Sequence, residues 1–504
     1  MILLTTLNAR YSHASLGLRY LIANMGELRA ETELLEFVIG DRPEDVVEAL
    51  LARSPRIVGI GIYIWNAEES ARVVGLLKQV APEVIVVLGG PEVSYEYEGQ
   101  AIFQSADYLI CGPGDLAFAE LCRQLLKGDR PSKVIQGGQP PLEAIRMPYG
   151  EYDDRDIAHR VLYVEASRGC PFKCEFCLSS LDKTAWPFPL EEFLAQMDGL
   201  YRRGARQFKF VDRTFNLNIK VSLRILEFFL ERLDDRLFLH FEVIPDHLPE
   251  ALKAAIQRFP AGTLQFEVGV QTWDPEVQTR ISRRQDNART EENLRWLRQH
   301  SHAHLHTDLI IGLPGETLET FGAGFDRLIA LDPHEIQVGI LKRLRGAPID
   351  RHSDAHRIRY NPRPPYTIVR SDVLDFVTLQ KLARFARYWD LVGNSGRFGR
   401  SRKLLLGEAP FANFWAFSGW LHGVLGKTHQ IAADRLYDLV YRWLVDQGIG
   451  ADQAAEAVAL DFRDSGTRSI PAFLQHSPLP RSWTTVQARK SKAPERQARH
   501  LRQE

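Results

Sequence analysis

Short apolar runs alternate with amphipathic stretches along most of this chain. In the first 145 residues, apolar runs at 2–6, 57–63, 84–88 and 108–110 read as strands, with a weaker one at 34–38. Between them, apolar positions recur at helical spacing over 17–28, 43–53, 67–80 and 115–126. Alternating β and α units of this length predict a parallel sheet covered on both faces. Ligands on such sheets bind beyond the carboxyl ends of the strands. Those ends fall at 8–17, 63–66 and 89–91. A second β/α series follows, with strands predicted at 161–165, 207–211, 239–243, 264–270, 306–311 and 335–339. Helical patterns intervene at 190–203, 219–233, 248–258, 290–300 and 318–331. Six units predict a partial barrel, short of eight-fold closure.

The predicted fold class is therefore α/β. A doubly wound parallel-sheet domain spans 1–145 and a linker spans 146–157. A partial (β/α)6 barrel covers 158–350 and a mainly helical region covers 351–480. The linker signal is the stretch 139–157, with three prolines and a charge run. The final stretch, 481–504, has seven Lys/Arg against two Glu and reads as a disordered basic tail. A contact with RNA or an acidic partner is its other use.

Composition narrows the class of protein. The 504 residues exceed what one hydrophobic core supports. With 45% hydrophobic and 25% charged residues and a formal net charge of −1, neither wholesale disorder nor a polyanion partner for the whole chain is implied. No apolar run is long enough to span a membrane, and residues 1–13 carry no basic leader. The expected location is the cytoplasm. Disulfides are disfavoured there. Of the five cysteines, three fall within eight residues, which favours a metal over bridges.

That cluster reads EASRGCPFKCEFCLSS, with Cys170, Cys174 and Cys177 spaced C-x3-C-x2-C just after a predicted strand. Three thiolates on one short loop can take three corners of an iron–sulfur cube and leave the fourth iron open. A zinc site with a fourth ligand from elsewhere is the other metal this spacing admits. Arg168 and Lys173 put positive charge near an anionic cluster.

The C-x3-C-x-aromatic-C pattern, with Phe176 as the aromatic, resembles the radical S-adenosylmethionine (SAM) superfamily. Four further stretches resemble its later strand motifs in order: FKFVDRTFNLN (208–218), HFEVIPDHL (240–248), FEVGVQTWD (266–274) and DLIIGLPGET (308–317). The resemblance covers roughly 158–350. It implies a 4Fe–4S cluster on Cys170, Cys174 and Cys177, which hold the metal and serve catalysis. It places Asp212 near the SAM amino group and Glu242 at the ribose hydroxyls. Glu267 and Gln271 would point into the barrel, and Ile310 and Gly312 would lie against the adenine. Each carboxylate also has a plainer reading as a barrel-layer or strand-end residue. Alternation puts Glu267, Gly269 and Gln271 on one strand face. The chemistry implied is reductive cleavage of SAM by one electron from the cluster, supplied by a donor such as flavodoxin or ferredoxin.

A parallel β/α domain ahead of such a barrel is similar to the cobalamin-dependent branch. The matching residues are VVLGGPEVS (86–94) and ADYLICGPGD (106–115), where Gly89 and Gly90 would let backbone approach the corrin or its nucleotide tail. An ordinary βα turn is the plain reading. This chain departs from the D-x-H-x2-G motif of many cobalamin proteins: it has His13, then Gly17, and no Asp. His13 therefore reads as a loop or surface residue, with the lower cobalt ligand as its other reading, and cobalt is expected to lack a protein imidazole. The usual Gly-Glu-Gly-Glu turn is Gly112–Pro113–Gly114–Asp115 here. Tyr63 and Trp65 face the corrin or belong to the core. Cys111 and Cys122 read as core thiols. The region from 351 resembles a C-terminal region of unknown function on some of these enzymes; its Tyr366, Trp389 and Asn394 read as packing residues, with a substrate pocket as the alternative.

The resemblance implies a methyltransferase acting on a small molecule or modified metabolite. A radical SAM cyclase or rearrangement enzyme without methyl transfer, or an RNA-modifying enzyme, is the alternative. A methylthiotransferase needs three more cysteines in the first domain, and Cys111 and Cys122 cannot supply them.

Overall fold

The computed structural model describes residues 1–182, 184–467, 469–475 and 495–501. The chain divides into two compact units. One holds residues 1–213 with 342–350 and 361–367; the other holds 214–341, 351–360 and 368–504.

In the first unit six parallel strands form one sheet: β1 (Ile2–Asn8), β2 (Thr32–Val38), β3 (Ile57–Gly61), β4 (Ile85–Gly89), β5 (Tyr108–Cys111) and β6 (Val134–Gln136). Their order is β2-β1-β3-β4-β5-β6. The chain steps outward in one direction from β1 to β2, then crosses back to β3, so the switch point lies between β1 and β3. Alternation distributes the apolar side chains to two cores. Leu3, Val58, Val86, Leu88 and Leu109 pack with Val73, Val74 and Leu77 on one face. Ile2, Leu4, Ile57, Val87 and Ile110 pack with Ile22, Leu121 and Leu125 on the other. Cys111 and Cys122 sit in these cores as expected, and burial pushes the Cys122 thiol up to about 12. β6 was not anticipated; three residues are too short for a periodicity signal.

The stretch expected to be a linker is packed. Tyr149 and Tyr152 are fully buried, and the Tyr152 hydroxyl donates to the carbonyl of Tyr163 at 2.8 Å. Asp153 caps the helix Asp154–His159 through a capping box. The charge run pairs inward: Arg19 bridges Asp156 at 2.6 Å and Glu36 at 2.9 Å, and Arg160 reaches Glu36 at 2.5 Å. Charge runs usually mark solvated chain; here Asp156 and Arg160 pair with buried groups, while Asp153, Asp154 and Arg155 stay exposed.

The same unit holds β7 (Leu162–Val164), β8 (Ser167–Gly169), β9 (Ala185–Pro187) and β10 (Gln207–Phe210). β7 and β10 pair in parallel. β8 and β9 form an antiparallel pair that encloses the cysteine segment.

In the second unit β11 (Phe238–Val243), β12 (Leu264–Gln271), β13 (His304–Ile311) and β14 (Glu335–Ile340) are parallel neighbours in that order. Glu242, Glu267, His306 and Glu335 are register partners across the four strands and so share a face. Helices follow over 376–465. Their aromatic side chains pack on the barrel helix Leu318–Ala330, with Phe325 ring centroids 4.8 Å from Trp389 and 5.2 Å from Phe385. Trp389 and Asn394 are packing residues. The Trp389 indole N–H donates to the Ile336 carbonyl at 2.8 Å, and Asn394 bonds both the N–H and the C=O of Ile336.

The expectation of a disordered tail from 481 needs correcting. Residues 495–501 form a helix, with Gln497, Ala498, Arg499 and His500 buried. Arg496 pairs with Glu335 at 2.9 Å and Asp390 at 2.8 Å, and Arg499 donates to the Ser395 carbonyl. Arg496, which looks solvated in sequence, is here neutralised by acids over 100 positions away. Residues 476–494 and 502–504 lie outside the described part. Among the described residues, no helix is long and apolar enough to cross a membrane.

Candidate active site

The cysteine loop leaves β8 at Gly169, whose φ is +89° and whose added Cβ would stand 2.4 Å from the Thr184 carbonyl oxygen. Only glycine permits that crossing of β8 and β9. Beyond it, Cys170 and Cys177 are partly covered and Cys174 is buried; none is in a disulfide. The Cys177 N–H donates to the Cys174 carbonyl at 3.0 Å, which folds the C-x2-C half into a turn. Burial pushes the Cys170 thiol up to about 11, and the nearby Cys177 and Cys174 sulfurs raise it further against Arg213. Metal binding here would displace protons.

The donor set fits an iron–sulfur cluster: three thiols close enough to influence one another. Among the described residues no three His, Cys, Asp or Glu side chains are gathered tightly around a single-ion site.

Three buried acids, Asp212, Glu165 and Asp115, fix the approach to this loop. Asp212 accepts from the Ser167 hydroxyl at 2.6 Å and from the Ala166 N–H at 3.0 Å. Burial lifts its carboxyl to about 7 despite those bonds. Both oxygens thus hold the turn between β7 and β8, so Asp212 acts on the chain ahead of the cysteines. Arg168, two residues before Cys170, donates to Glu165 at 2.8 Å and Asp115 at 2.9 Å and lies 4.3 Å from the Tyr20 ring centroid. Although burial opposes its charge, those carboxylates hold the guanidinium well above its usual range. Sequence reasoning gave Arg168 to the cluster's anionic charge; its charge is instead neutralised by two carboxylates. It also left Asp115 without a role, and Asp115 turns out to be the partner of Arg168.

Arg168 and Asp115 line a cavity of about 280 Å³ at the carboxyl ends of β3, β4 and β5. Seven lining residues are glycines, among them Gly61, Gly89, Gly90 and Gly112. Gly90 has φ +107°, and an added Cβ would meet the Ile62 carbonyl oxygen at 2.4 Å. Ser94 ties the two glycine turns together, donating to the Gly90 carbonyl at 2.8 Å and accepting from Gly112 N–H at 3.0 Å. This cradle exists because side chains are missing, which fits a bulky ring or a nucleotide tail. The volume suits a ring-sized part of a ligand, with the remainder outside. Gly59 and Gly61 were not singled out from sequence; glycines inside the strand-like run 57–63 were the available signal.

Tyr63 lines the cavity, and Trp65 stacks on it with centroids 4.5 Å apart and one ring 46% exposed. His13 lies away from the cavity lining. Its Nδ1 meets the Tyr163 hydroxyl at 2.5 Å, and burial, with Lys209 and Arg10, lowers its pKa. That agrees with its reading as a loop residue.

In the second unit, the partly exposed positions of β12 are Glu267, Gly269 and Gln271, as alternation predicts. His240 Nε2 stands 3.0 Å from Glu267, whose side chain is 25% exposed. Glu242 is its register partner on β11. Gln271 follows a bulge in β12. Ile310 is partly exposed on β13, whereas Gly312 is crowded: its added Cβ would meet Ile368 at 2.8 Å. Ile368 belongs to the region after the barrel, and the lack of a side chain at Gly312 admits it. Glu316, from the same LPGET stretch, accepts from the Thr272 hydroxyl at 2.5 Å, and burial lifts it to about 8. Phe176 is partly covered within the cysteine loop.

Three family models match the chain: the B12 binding domain over 2–122, the radical SAM superfamily over 164–328, and a protein region of unknown function (DUF4080) over 354–501. An uncharacterized methyltransferase, PH0819, of Pyrococcus horikoshii is 32% identical over 42% of this chain and 52% of its own length. The cobalamin-dependent radical SAM methyltransferase TokK of Streptomyces tokunonensis is 25% identical over 59% of this chain and 48% of its own length. The chain thus spans about half the length of the curated relatives it matches. Among solved structures, the radical SAM methyltransferase TsrM of Kitasatospora setae, with tryptophan substrate and a SAM analog bound, superposes with TM-score 0.59 at 19% identity, covering 75% of this chain and 80% of that one. OxsB, a cobalamin-dependent SAM radical enzyme with aqua-cobalamin bound, does so with TM-score 0.63 at 14% identity, covering 92% and 84%. These two likenesses concern the fold. A B12 binding domain, a radical SAM domain and a DUF4080 region thus follow one another on this polypeptide.

Proposed function

We propose that this protein is a cobalamin-dependent radical SAM methyltransferase acting on a small molecule, at an unactivated carbon or phosphorus. The observation that carries the proposal is Arg168. Its guanidinium forms part of the wall of the glycine cradle, and its backbone begins the three-thiol loop. When bound, the cluster supplies the electron that cleaves the SAM sulfonium, and cobalamin supplies the methyl carrier.

The protein's part is positioning and exclusion of water. Cys170, Cys174 and Cys177 would hold the cluster through three thiolates, with no fourth cysteine in the loop to ligate it. Phe176 shields the loop, and Asp212 keeps residues 166 and 167 in place ahead of it. Gly89 and Gly90 let backbone approach the corrinoid. Glu242, Glu267 and Gln271 offer acceptors to SAM, while Ile310 and Gly312 shape an apolar wall. Cytoplasmic location and a flavodoxin or ferredoxin donor complete the reading. RNA is not needed by it: Arg496 and Arg499 are committed to Glu335, Asp390 and Ser395.

Anaerobic purification with cobalamin, iron and sulfide tests the proposal. Stoichiometric corrinoid uptake, a brown oxygen-sensitive chromophore and S-adenosylhomocysteine production are expected. A preparation that takes up the cluster but no corrinoid would end the cobalamin half. One that leaves SAM intact after reduction would end the whole.

A further inference from the structure

Segment 342–350 follows the last barrel strand, yet it packs within the first unit. There it touches both loops assigned to cofactors. Toward the glycine turn after β4, Arg345 Nε bonds Glu92 at 3.0 Å. The Tyr366 hydroxyl donates to the same Glu92 oxygen at 2.6 Å, and Arg345 also donates to that hydroxyl at 3.0 Å. Glu92 is 4% exposed and stands two residues after Gly90. Arg343 adds a two-pronged pair to Glu96 at 2.9 and 3.1 Å. Toward the cysteine loop, the Ile349 N–H donates to the carbonyl of Glu175, between Cys174 and Cys177, at 2.9 Å.

Two further features show that the contact is built. Tyr366 holds a left-handed φ of +52° to present its hydroxyl. Gly346 is pressed against Tyr95 so closely that an added Cβ would stand 2.4 Å from the ring. A surface charge pair would need neither. Two donors converge on this buried carboxylate: Arg345 Nε and the Tyr366 hydroxyl both reach the same Glu92 oxygen.

We propose that segment 342–350 is a strap that sets the spacing between the corrinoid turn and the cysteine loop, with Glu92, Arg345 and Tyr366 as its positioning residues. This rests on the function proposed above. None of the three is assigned a cofactor contact; they act through Gly90 on one side and the Glu175 backbone on the other.

The test uses the full chain, reconstituted anaerobically with iron, sulfide and hydroxocobalamin. Glu92→Gln and Tyr366→Phe should each weaken corrinoid binding about tenfold, the usual size of an effect transmitted through a supporting residue. Iron and sulfide content should match wild type. At saturating corrinoid, the magnetic interaction between its Co(II) form and the reduced cluster, read by electron paramagnetic resonance, should change, because it reports their separation. Arg345→Lys keeps the charge without the planar fork and should fall between. Variants with wild-type corrinoid affinity and an unaltered magnetic interaction would overturn the strap. Wild-type protein that loads the cluster but never a corrinoid would instead defeat the proposed function.

Discussion

The two parallel sheets use their faces differently. In the first, β1 to β5 bury apolar side chains on both faces, and binding is left to the turns at the strand ends. In the second, one face of β11 to β14 is apolar through Phe241, Phe266, Leu305 and Ile336. The other carries His240, Gln265 and His304, then Glu242, Glu267, His306 and Glu335. Buried polar groups are costly without partners. Two pairs offset part of that cost: His240 with Glu267 and His304 with Glu335, each at 3.0 Å. A doubly covered sheet can bind only at its edge; a sheet with a polar inner face can bind along its strands.

The most severe break would come from the edge. Cys174→Ser should abolish cluster assembly, read as loss of iron and sulfide with corrinoid uptake retained. Next, Gly90→Ala should eliminate corrinoid uptake while the cluster still forms, since the new Cβ meets backbone rather than a movable side chain. Third, Glu267→Gln on the polar face should slow SAM cleavage about 10- to 100-fold. Its melting transition should shift by no more than about 0.5 kcal/mol. The mirror change Val86→Thr, in the doubly apolar sheet, should cost about 1–3 kcal/mol of stability for a buried hydroxyl. Equal stability losses from the two would erase the contrast.

The smallest effect concerns pH. Asp212 titrates near 7 in the folded protein against 3.8 for the free side chain, so the folded state holds the extra proton between those values. Its contribution is present below about pH 4 and is lost as pH rises toward 7. Glu316, raised to about 8, acts in the same direction up to that pH. Glu335 is held near 2, even against burial, by His304 and Arg496. Its contribution is present above about pH 4.5 and is lost as pH falls toward 2. Asp212→Asn should flatten the decline in melting temperature between pH 4 and 7, and an unchanged slope would remove the group from the account.

Much was legible in the chain because it is local. The strands β10 to β14 fall within two residues of where apolar periodicity places them, and the thiol loop follows from spacing alone. What depended on distant partners was not legible. The stretch 146–157 resembled a linker because nothing in it reveals that Tyr149 and Tyr152 are buried or that Asp156 meets Arg19. Arg496 and Arg499 looked solvated because their acceptors lie far away in the chain.

Residue type and spacing by themselves determined the order of the β/α units, the three-cysteine donor set and the glycine turns, since each depends on neighbours a few positions apart. Tertiary structure alone decided that Asp115 would hold Arg168, that Asp212 would brace the loop, and that residues 342–350 would return to the first unit. Ion pairs and buried hydrogen bonds are set by distance in space, and positions as far apart as Glu92 and Tyr366 carry no mark of it until the chain is folded.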